Sequence, residues 1–320
     1  MFDCNKTKVI IERGIFMIYT VTFNPAIDYI VQVEELKKGS IHRSTSEIIL
    51  CGGKGINVSL VLAEFGIRAK ALGFIAGFTG KEIERMVCEQ GVETDFIELK
   101  NGCSRINVKI RSFQKEDGET DINGQGPIIS EEEISQLYHK LDKLKAGDLL
   151  ILSGSIPSSL PDSIYEEILA RISGKGIKVI VDATKDLLRN VLKYQPFLIK
   201  PNSNELEEFF DVTIQSAEDI VKYAWKLKEM GAKNVLISMA EDGAMLLNEN
   251  EQVFWCDACK GTVKNSVGAG DSMVAGFIAG LQSGDDEYAL KLGTAAGGAA
   301  AFSDGLAKKD KIFALLKQLN

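Results

Sequence analysis

Hydrophobic positions along the chain follow two periods that alternate from one end to the other: short continuous apolar runs, and longer stretches in which apolar residues recur every third or fourth place. Residues 18–22 form the first β-prone run, which stops at Asn24-Pro25 and predicts a strand emptying into a loop that carries Asp28. A helical period over 56–65 lies between a GGKG turn and a stop at Gly66, and a strand over 69–76 precedes a glycine-rich turn and a helix over 81–90 that ends at Gly91. From Gly126 onward the alternation is regular, with helices over 130–144, 162–173 and 185–192 and strands over 148–153, 178–182 and 197–200. A helix opens after Pro201, a strand follows at 235–238, and helices are predicted at 273–281 and 288–302. Strands that alternate with helices in this way predict an α/β fold with a mostly parallel sheet and helices outside it.

Three segments break the alternation. Residues 29–33 and 46–50 read as short antiparallel strands off the main sheet, and 94–122 read as short strands without a helix, with a hairpin turning at Asp117-Gly118. They predict a small sheet built from about 29–50 and 94–122 that lies over the main body as a lid. With no internal repeat, low-complexity segment or linker, residues 17–320 read as one domain. Residues 1–16 have neither the apolar core nor the cleavage site of a signal peptide. They are expected to be a non-native or disordered extension, with Met17 as the natural start and Glu12-Arg13-Gly14 translating a purine-rich ribosome-binding sequence.

Composition narrows the chemistry. The 37 Lys and Arg against 45 Asp and Glu leave a net charge of −8, which argues against a nucleic-acid binder and requires any phosphate site to be local. A 45% hydrophobic content without a run long enough to span a bilayer predicts a soluble, cytoplasmic protein. The six Cys are irregularly spaced and read as reduced thiols, with Cys51 a small buried residue that would be open to inhibitory alkylation if exposed. A lone Cys256-x-x-Cys259 with only His42 and His139 elsewhere is a weak case for zinc or redox work.

Candidate chemistry collects where glycine turns feed helices. In NSVGAGDS, residues Gly268, Ala269 and Gly270 leave backbone N–H groups unshielded at a helix start, a ready anion site, and Asp271 falls in the first turn, where the helix dipole favours a carboxylate on stability grounds alone. In CGGKGINVS, Gly52 and Gly53 permit close backbone approach to a ligand, Lys54 offers a point charge to a phosphate and Asn57 a hydrogen bond to a hydroxyl. No Ser or Thr follows the Lys, so this is not a P-loop, and the absence of GxGxxG speaks against a dehydrogenase. Asp28 reads either as a turn cap or as a ligand to sugar hydroxyls. Arg105, as an edge-strand cation, has a solvated reading beside a functional one. Ser153-Gly154-Ser155 and Asp182 sit at strand ends, where turn chemistry and ligand contact are equally good readings. Asn202 and Glu205 fit a capping box as well as a ligand set.

The two segments CGGKGINVS and NSVGAGDS, in this order, resemble the two signatures of the ribokinase-like (PfkB) family of sugar kinases. The resemblance implies a three-layer α/β/α sandwich with a small β-sheet lid. It also implies Asp271 as the base that takes the acceptor's proton, and the amides of Gly268, Ala269 and Gly270 as the cradle of the transferring phosphoryl group. On the acceptor side it implies Asp28, Gly52, Gly53, Lys54, Asn57, Arg105 and Asn107. On the ATP side it implies Lys200, Asn202, Ser238, Glu241, Gly243 and Gly270, with magnesium held by Glu205 through water and by Asn202. Asn265-Ser266 stands where many members have Asp-Thr, and Ala240 where many have Gly. The strings TVTFNPAIDYIV, SRINVKI, SGSIP and LIKPN are similar to the branch that phosphorylates fructose 1-phosphate, with tagatose 6-phosphate as the alternative acceptor. From another class, a sugar-phosphate sensor on a kinase scaffold is the competing reading. Exposed lid edges and the resemblance together suggest a homodimer joined lid to lid.

Overall fold

In the computed structural model, which describes residues 17–112 and 119–319, the first apolar run becomes β1 (Ile18–Thr22). After it come β2 (Ala26–Val33), β3 (Ser46–Gly52), α1 (Lys54–Glu64), β4 (Ala69–Ala76) and α2 (Gly77–Glu89). Four strands follow without a helix: β5 (Glu93–Thr94), β6 (Ile97–Leu99), β7 (Arg105–Ser112) and β8 (Glu119–Asn123). Then strands and helices alternate through α3 (Glu131–Leu141), β9 (Leu149–Ser153), α4 (Ile164–Ile172), β10 (Lys178–Asp182) and α5 (Lys185–Val191). They continue as β11 (Leu198–Ile199), α6 (Ser203–Phe210), α7 (Ala217–Glu229), β12 (Asn234–Ser238), β13 (Ala244–Leu247) and β14 (Val253–Cys256). Three helices close the chain: α8 (Ala269–Leu281), α9 (Asp286–Ala301) and α10 (Lys309–Leu316).

The large sheet runs in the order β14-β13-β12-β11-β10-β9-β1-β4-β5, with β6 also beside β4. Its strands from β12 to β5 are parallel, and β13 and β14 close one edge antiparallel. Every residue of β9 is buried, as a parallel strand covered on both faces requires. Alternate residues of the central strands feed two apolar clusters. One takes Val21, Leu150, Val181 and Val235 with helices α3 to α7; the other takes Ile18, Leu149, Ile180 and Leu236 with α1, α8, α9 and α10. The result is the three-layer α/β/α arrangement, and it places the carboxyl ends of β1, β9, β10 and β11 along one rim.

A second sheet of order β3-β2-β7-β8 stands off this body. β2 pairs antiparallel with β3 but parallel with β7, and β7 pairs antiparallel with β8. Several sequence readings change here. The start of the 94–122 segment, read as part of the small sheet, instead pairs with β4 in the large one through β5 and β6, and Ile97 and Leu99 are apolar enough to join its core. Asp28 lies within β2 and not in a loop, since cross-strand pairing begins at Ala26. Helix α1 starts two residues earlier than its apolar period, because Thr22 Oγ1 at the end of β1 accepts the Ile56 amide and so serves an orphan donor of the first turn. Helices α7 and α10 and the β13–β14 hairpin went unpredicted. The Asp117-Gly118 turn and residues 1–16 lie outside the described residues. Among the described residues no helix is long and apolar enough to cross a membrane.

Candidate active site

The rim of the large sheet meets the second sheet at a cavity of about 400 Å³ whose wall includes Asn24, Gly53, Lys54, Arg105, Ser153 and Asp182. The small sheet presents one face here. In β2 and β7 the register sets Asp28 opposite Asn107 and Ala26 opposite Arg105, so the three polar side chains share that face. Asn107 Nδ2 donates to Asp28 Oδ1 at 2.8 Å, and Arg105 Nε donates to the Asn24 carbonyl at 3.0 Å. Burial lowers the guanidinium's hold on its proton, and Asp28 opposes that effect. Gly52 leaves room for this pair, because a Cβ there would stand 2.6 Å from Asp28 Oδ2 and displace that carboxylate.

Deeper in, charged side chains from α1, β10 and the end of β11 surround Asp271. Gly268 caps α8 in the left-handed region at φ 77°, which turns the chain so that Asp271 enters the first turn pointing inward. Asp271 is only 4% exposed, and Asn57 Nδ2 of α1 donates to its Oδ2 at 2.8 Å. Burial, and next the charge of Asp182, push its pKa up to about 6, against the opposing hydrogen bond from Asn57 and the charges of Lys54 and Lys200. Such a carboxylate is ionised at neutral pH yet basic enough to accept a proton. Lys54 Nζ lies 3.1 Å from Asp182 Oδ2, and Lys200 Nζ lies 3.4 Å from Asp182 Oδ1. Burial works against the charge of Lys54, but Asp182, Asp271 and Glu205 more than compensate and raise its pKa. Burial alone would raise the pKa of Asp182; the two lysines hold it below the ordinary carboxylate value. Of the three amides expected to face a phosphoryl group, that of Ala269 donates internally to the Ser266 carbonyl at 3.3 Å. Gly270 lies against Lys200, whose Nζ would be 3.2 Å from a Cβ at that position.

On the far side of Lys200, Asn202 and Glu205 form the capping box of α6: Asn202 Oδ1 accepts the Glu205 amide and Glu205 Oε2 accepts the Asn202 amide, each at 2.8 Å. The capping reading is therefore realised, and the charge of Glu205 also favours the charged form of Lys54. Ser238 bridges to Asn202 across the strand ends. Beyond it the turn leads away: Glu241 is exposed, while Gly243 is buried with β14 so near that a Cβ would come within 2.0 Å of the Cys256 carbonyl oxygen. Close packing and a φ of 88° both call for glycine there. Ala240 adopts φ 50°, the left-handed region that glycine favours, which explains the residue type expected there. Glu205 and Asn202 offer oxygen donors suited to magnesium, but among the described residues no three His, Cys, Asp or Glu side chains converge to cage a metal. Magnesium would fit here only as an ion that arrives with nucleotide phosphates and keeps most of its waters.

Two residues carry more of the site than their sequence signals suggested. Thr22 had none beyond its place at a strand end, and Asp182 read equally well as turn chemistry. Cys51 is buried, which pushes its thiol up to about 11 and removes the exposure its alkylation would need. The five described cysteines are all free.

Known proteins match this chain over most of its length. A family model described as pfkB family carbohydrate kinase matches residues 19–311. A 1-phosphofructokinase of Bacillus subtilis is 45% identical over 304 residues, which is 95% of this chain and 98% of that protein. A D-tagatose-1-phosphate kinase of Bacillus licheniformis is 38% identical over 298 residues, 92% of this chain and 96% of the other. Among solved structures, phosphofructokinase-2 from Escherichia coli in complex with substrates and products matches with a TM-score of 0.88 at 27% identity, over 95% of this chain and 99% of that one. The same enzyme is also known in a tetrameric inhibited form.

Proposed function

The chain belongs to the pfkB family of carbohydrate kinases, and we propose that it transfers the terminal phosphoryl group of ATP to the 6-hydroxyl of fructose 1-phosphate, giving fructose 1,6-bisphosphate and ADP. The observation that carries this reading is Asp271, a buried carboxylate with a pKa of about 6 at the start of α8, in the field of buried Lys200 and part-exposed Lys54, both paired with Asp182. The acceptor's existing phosphate fits the cavity beside Lys54 and Arg105, with Asp28 and Asn107 turned toward its hydroxyls. Its reacting hydroxyl meets Asp271, which takes the proton as the new P–O bond forms and the bond from phosphorus to the leaving ADP oxygen breaks. Phosphoryl transfer needs alignment and charge neutralisation more than covalent chemistry. Lys54, Lys200 and the amides of Gly268 and Gly270 at the start of α8 supply both. Magnesium, when bound with ATP, would neutralise the polyphosphate from the side of Asn202 and Glu205.

A tagatose phosphate is the second reading. The sequence suggested the 6-phosphate, whereas the Bacillus licheniformis relative is named for the 1-phosphate. Fructose 1-phosphate and tagatose 1-phosphate differ only in configuration at carbon 4, so either fits a phosphate site fixed at Lys54 and Arg105. Initial rates with magnesium and ATP on fructose 1-phosphate, tagatose 1-phosphate, tagatose 6-phosphate, fructose 6-phosphate and ribose decide among them. An advantage of about tenfold or more in kcat/KM for fructose 1-phosphate supports the proposal. Preference for a tagatose phosphate establishes the second reading. Preference for ribose or fructose 6-phosphate refutes the acceptor assignment, and sugar-phosphate binding without ADP formation would make the protein a sensor.

We place the reaction in the cytoplasm, where ATP and reduced thiols belong. The small sheet also favours self-association. Ile49, Tyr29, Val108 and Ile122 form one cross-strand row on the face opposite Asp28, and Ile49 and Ile122 are 55% and 58% exposed. A second copy covering that row gives a homodimer joined through the small sheets. Light scattering tests it: the intact chain should have twice the monomer mass and Ile49→Glu the monomer mass, and an intact monomer would refute it.

A further inference from the structure

Acceptor-side and donor-side cations meet on one buried carboxylate that neither glycine-rich signature contains. Asp182 ends β10 with 2% of its surface exposed and divides its two oxygens. Oδ2 faces Lys54 Nζ at 3.1 Å and accepts from Ser153 Oγ at 3.2 Å, while Oδ1 faces Lys200 Nζ at 3.4 Å. Lys54 lines the cavity beside Arg105, and Lys200 lies against Gly270 at the opening of α8. We propose that Asp182 is the positioning residue of the kinase reaction, holding Lys54 and Lys200 at a fixed separation so that acceptor and donor phosphates are aligned in one site.

The physical need is plain. Burying an ammonium to 5% exposure, as for Lys200, is costly unless a partner offsets it. A cation at a helix N-terminus also opposes the helix dipole. Asp182 answers both costs and at the same time restrains Lys54, which otherwise would repel Lys200 or turn toward solvent. Both cations are thus held by contacts within the protein. The second effect of Asp182 falls on the base. The groups facing Asp271 are Asn57 and Lys54 from α1, Asp182 from β10 and Lys200 from the end of β11; among them only Asp182 repels the ionised base.

The inference rests on the sugar-phosphate kinase reading, and the test separates the two. Rates of the intact enzyme and of Asp182→Asn are measured against fructose 1-phosphate, ATP and pH. For Asp182→Asn the expected result is a rise of about tenfold in KM for both substrates and a loss of kcat of about 10- to 100-fold. The acid limb of kcat/KM should also move to lower pH by about one unit, because the like charge beside Asp271 is gone while both cations remain. Lys54→Met should raise KM for the sugar phosphate alone. Asp182→Glu keeps the charge but displaces it, so its acid limb should stay in place while kcat falls about tenfold. An Asp182→Asn enzyme with an unmoved limb or with only one KM altered overturns the proposal. Full activity in Asp182→Glu overturns it even where Asp182→Asn does not fold. An intact enzyme that phosphorylates no sugar phosphate would instead defeat the underlying reading.

Discussion

Replacing Asp271 by Asn should cripple the enzyme and stabilise the protein, and both effects follow from one environment. The ordinary value for this carboxyl is 3.8, and burial with Asp182 nearby lifts it to about 6. A gap of roughly two pH units, at about 1.4 kcal/mol each, makes ionised Asp271 cost on the order of 3 kcal/mol of folding stability at neutral pH. The sign is that of a carboxyl with a raised folded value: the stability is fully present below about pH 4 and is lost as pH rises to about 6. Asn has the same shape, can still accept from Asn57 through its carbonyl oxygen, and carries no charge. At pH 7.5 the variant should therefore melt several degrees higher, by roughly 2 °C per kcal/mol gained. At pH 4 the difference should vanish, since Asp271 is then protonated. Turnover should fall about 10²- to 10⁴-fold, the range for a lost general base, with sugar binding largely intact. Calorimetry across pH, beside steady-state kinetics, reads all three. A variant that is less stable at pH 7.5, a stabilisation independent of pH, or loss of binding in proportion to rate would refute the reasoning.

Three further outcomes are expected. In the intact enzyme kcat/KM should fall about tenfold per pH unit below about 6 as Asp271 takes up a proton, and a flat profile down to pH 5 would exclude it as the base. Gly52→Ala places a methyl 2.6 Å from Asp28 Oδ2, so Asp28 must leave Asn107; KM for the sugar phosphate should rise about 10- to 100-fold with kcat little changed, as steady-state kinetics will show. Iodoacetamide should label exposed Cys88 and Cys103 in the folded enzyme with activity retained, and reach Cys51 only after denaturation, as peptide mass analysis will show.

The framework of the fold was legible because its parallel strands are buried on both faces and read as short apolar runs, while the covering helices keep their own period. Short strands were the weak point. β5 and β6 carry too few residues to reveal which sheet they join; parallel pairing with β4 decides it, supported in β6 by the burial of Ile97 and Leu99 in the main core. The glycine turns located Asp271 and Lys54, since both lie next to the residue types that make the turn. Asp182 could not be ranked in the same way: its importance comes from meeting Lys54 and Lys200, far from it in sequence and brought together only by sheet order. Gly243 is the converse case: its motif placed it on the ATP side, and the structure shows its close approach to β14.

The most direct test of the central claim is the product formed from fructose 1-phosphate, followed by phosphorus NMR in the presence of magnesium and ATP. The account predicts ADP and fructose 1,6-bisphosphate in equal amounts, the new ester on carbon 6, and no such signal from Asp271→Asn on the same timescale. ADP without a second sugar ester, or a bisphosphate formed equally fast by Asp271→Asn, would contradict it.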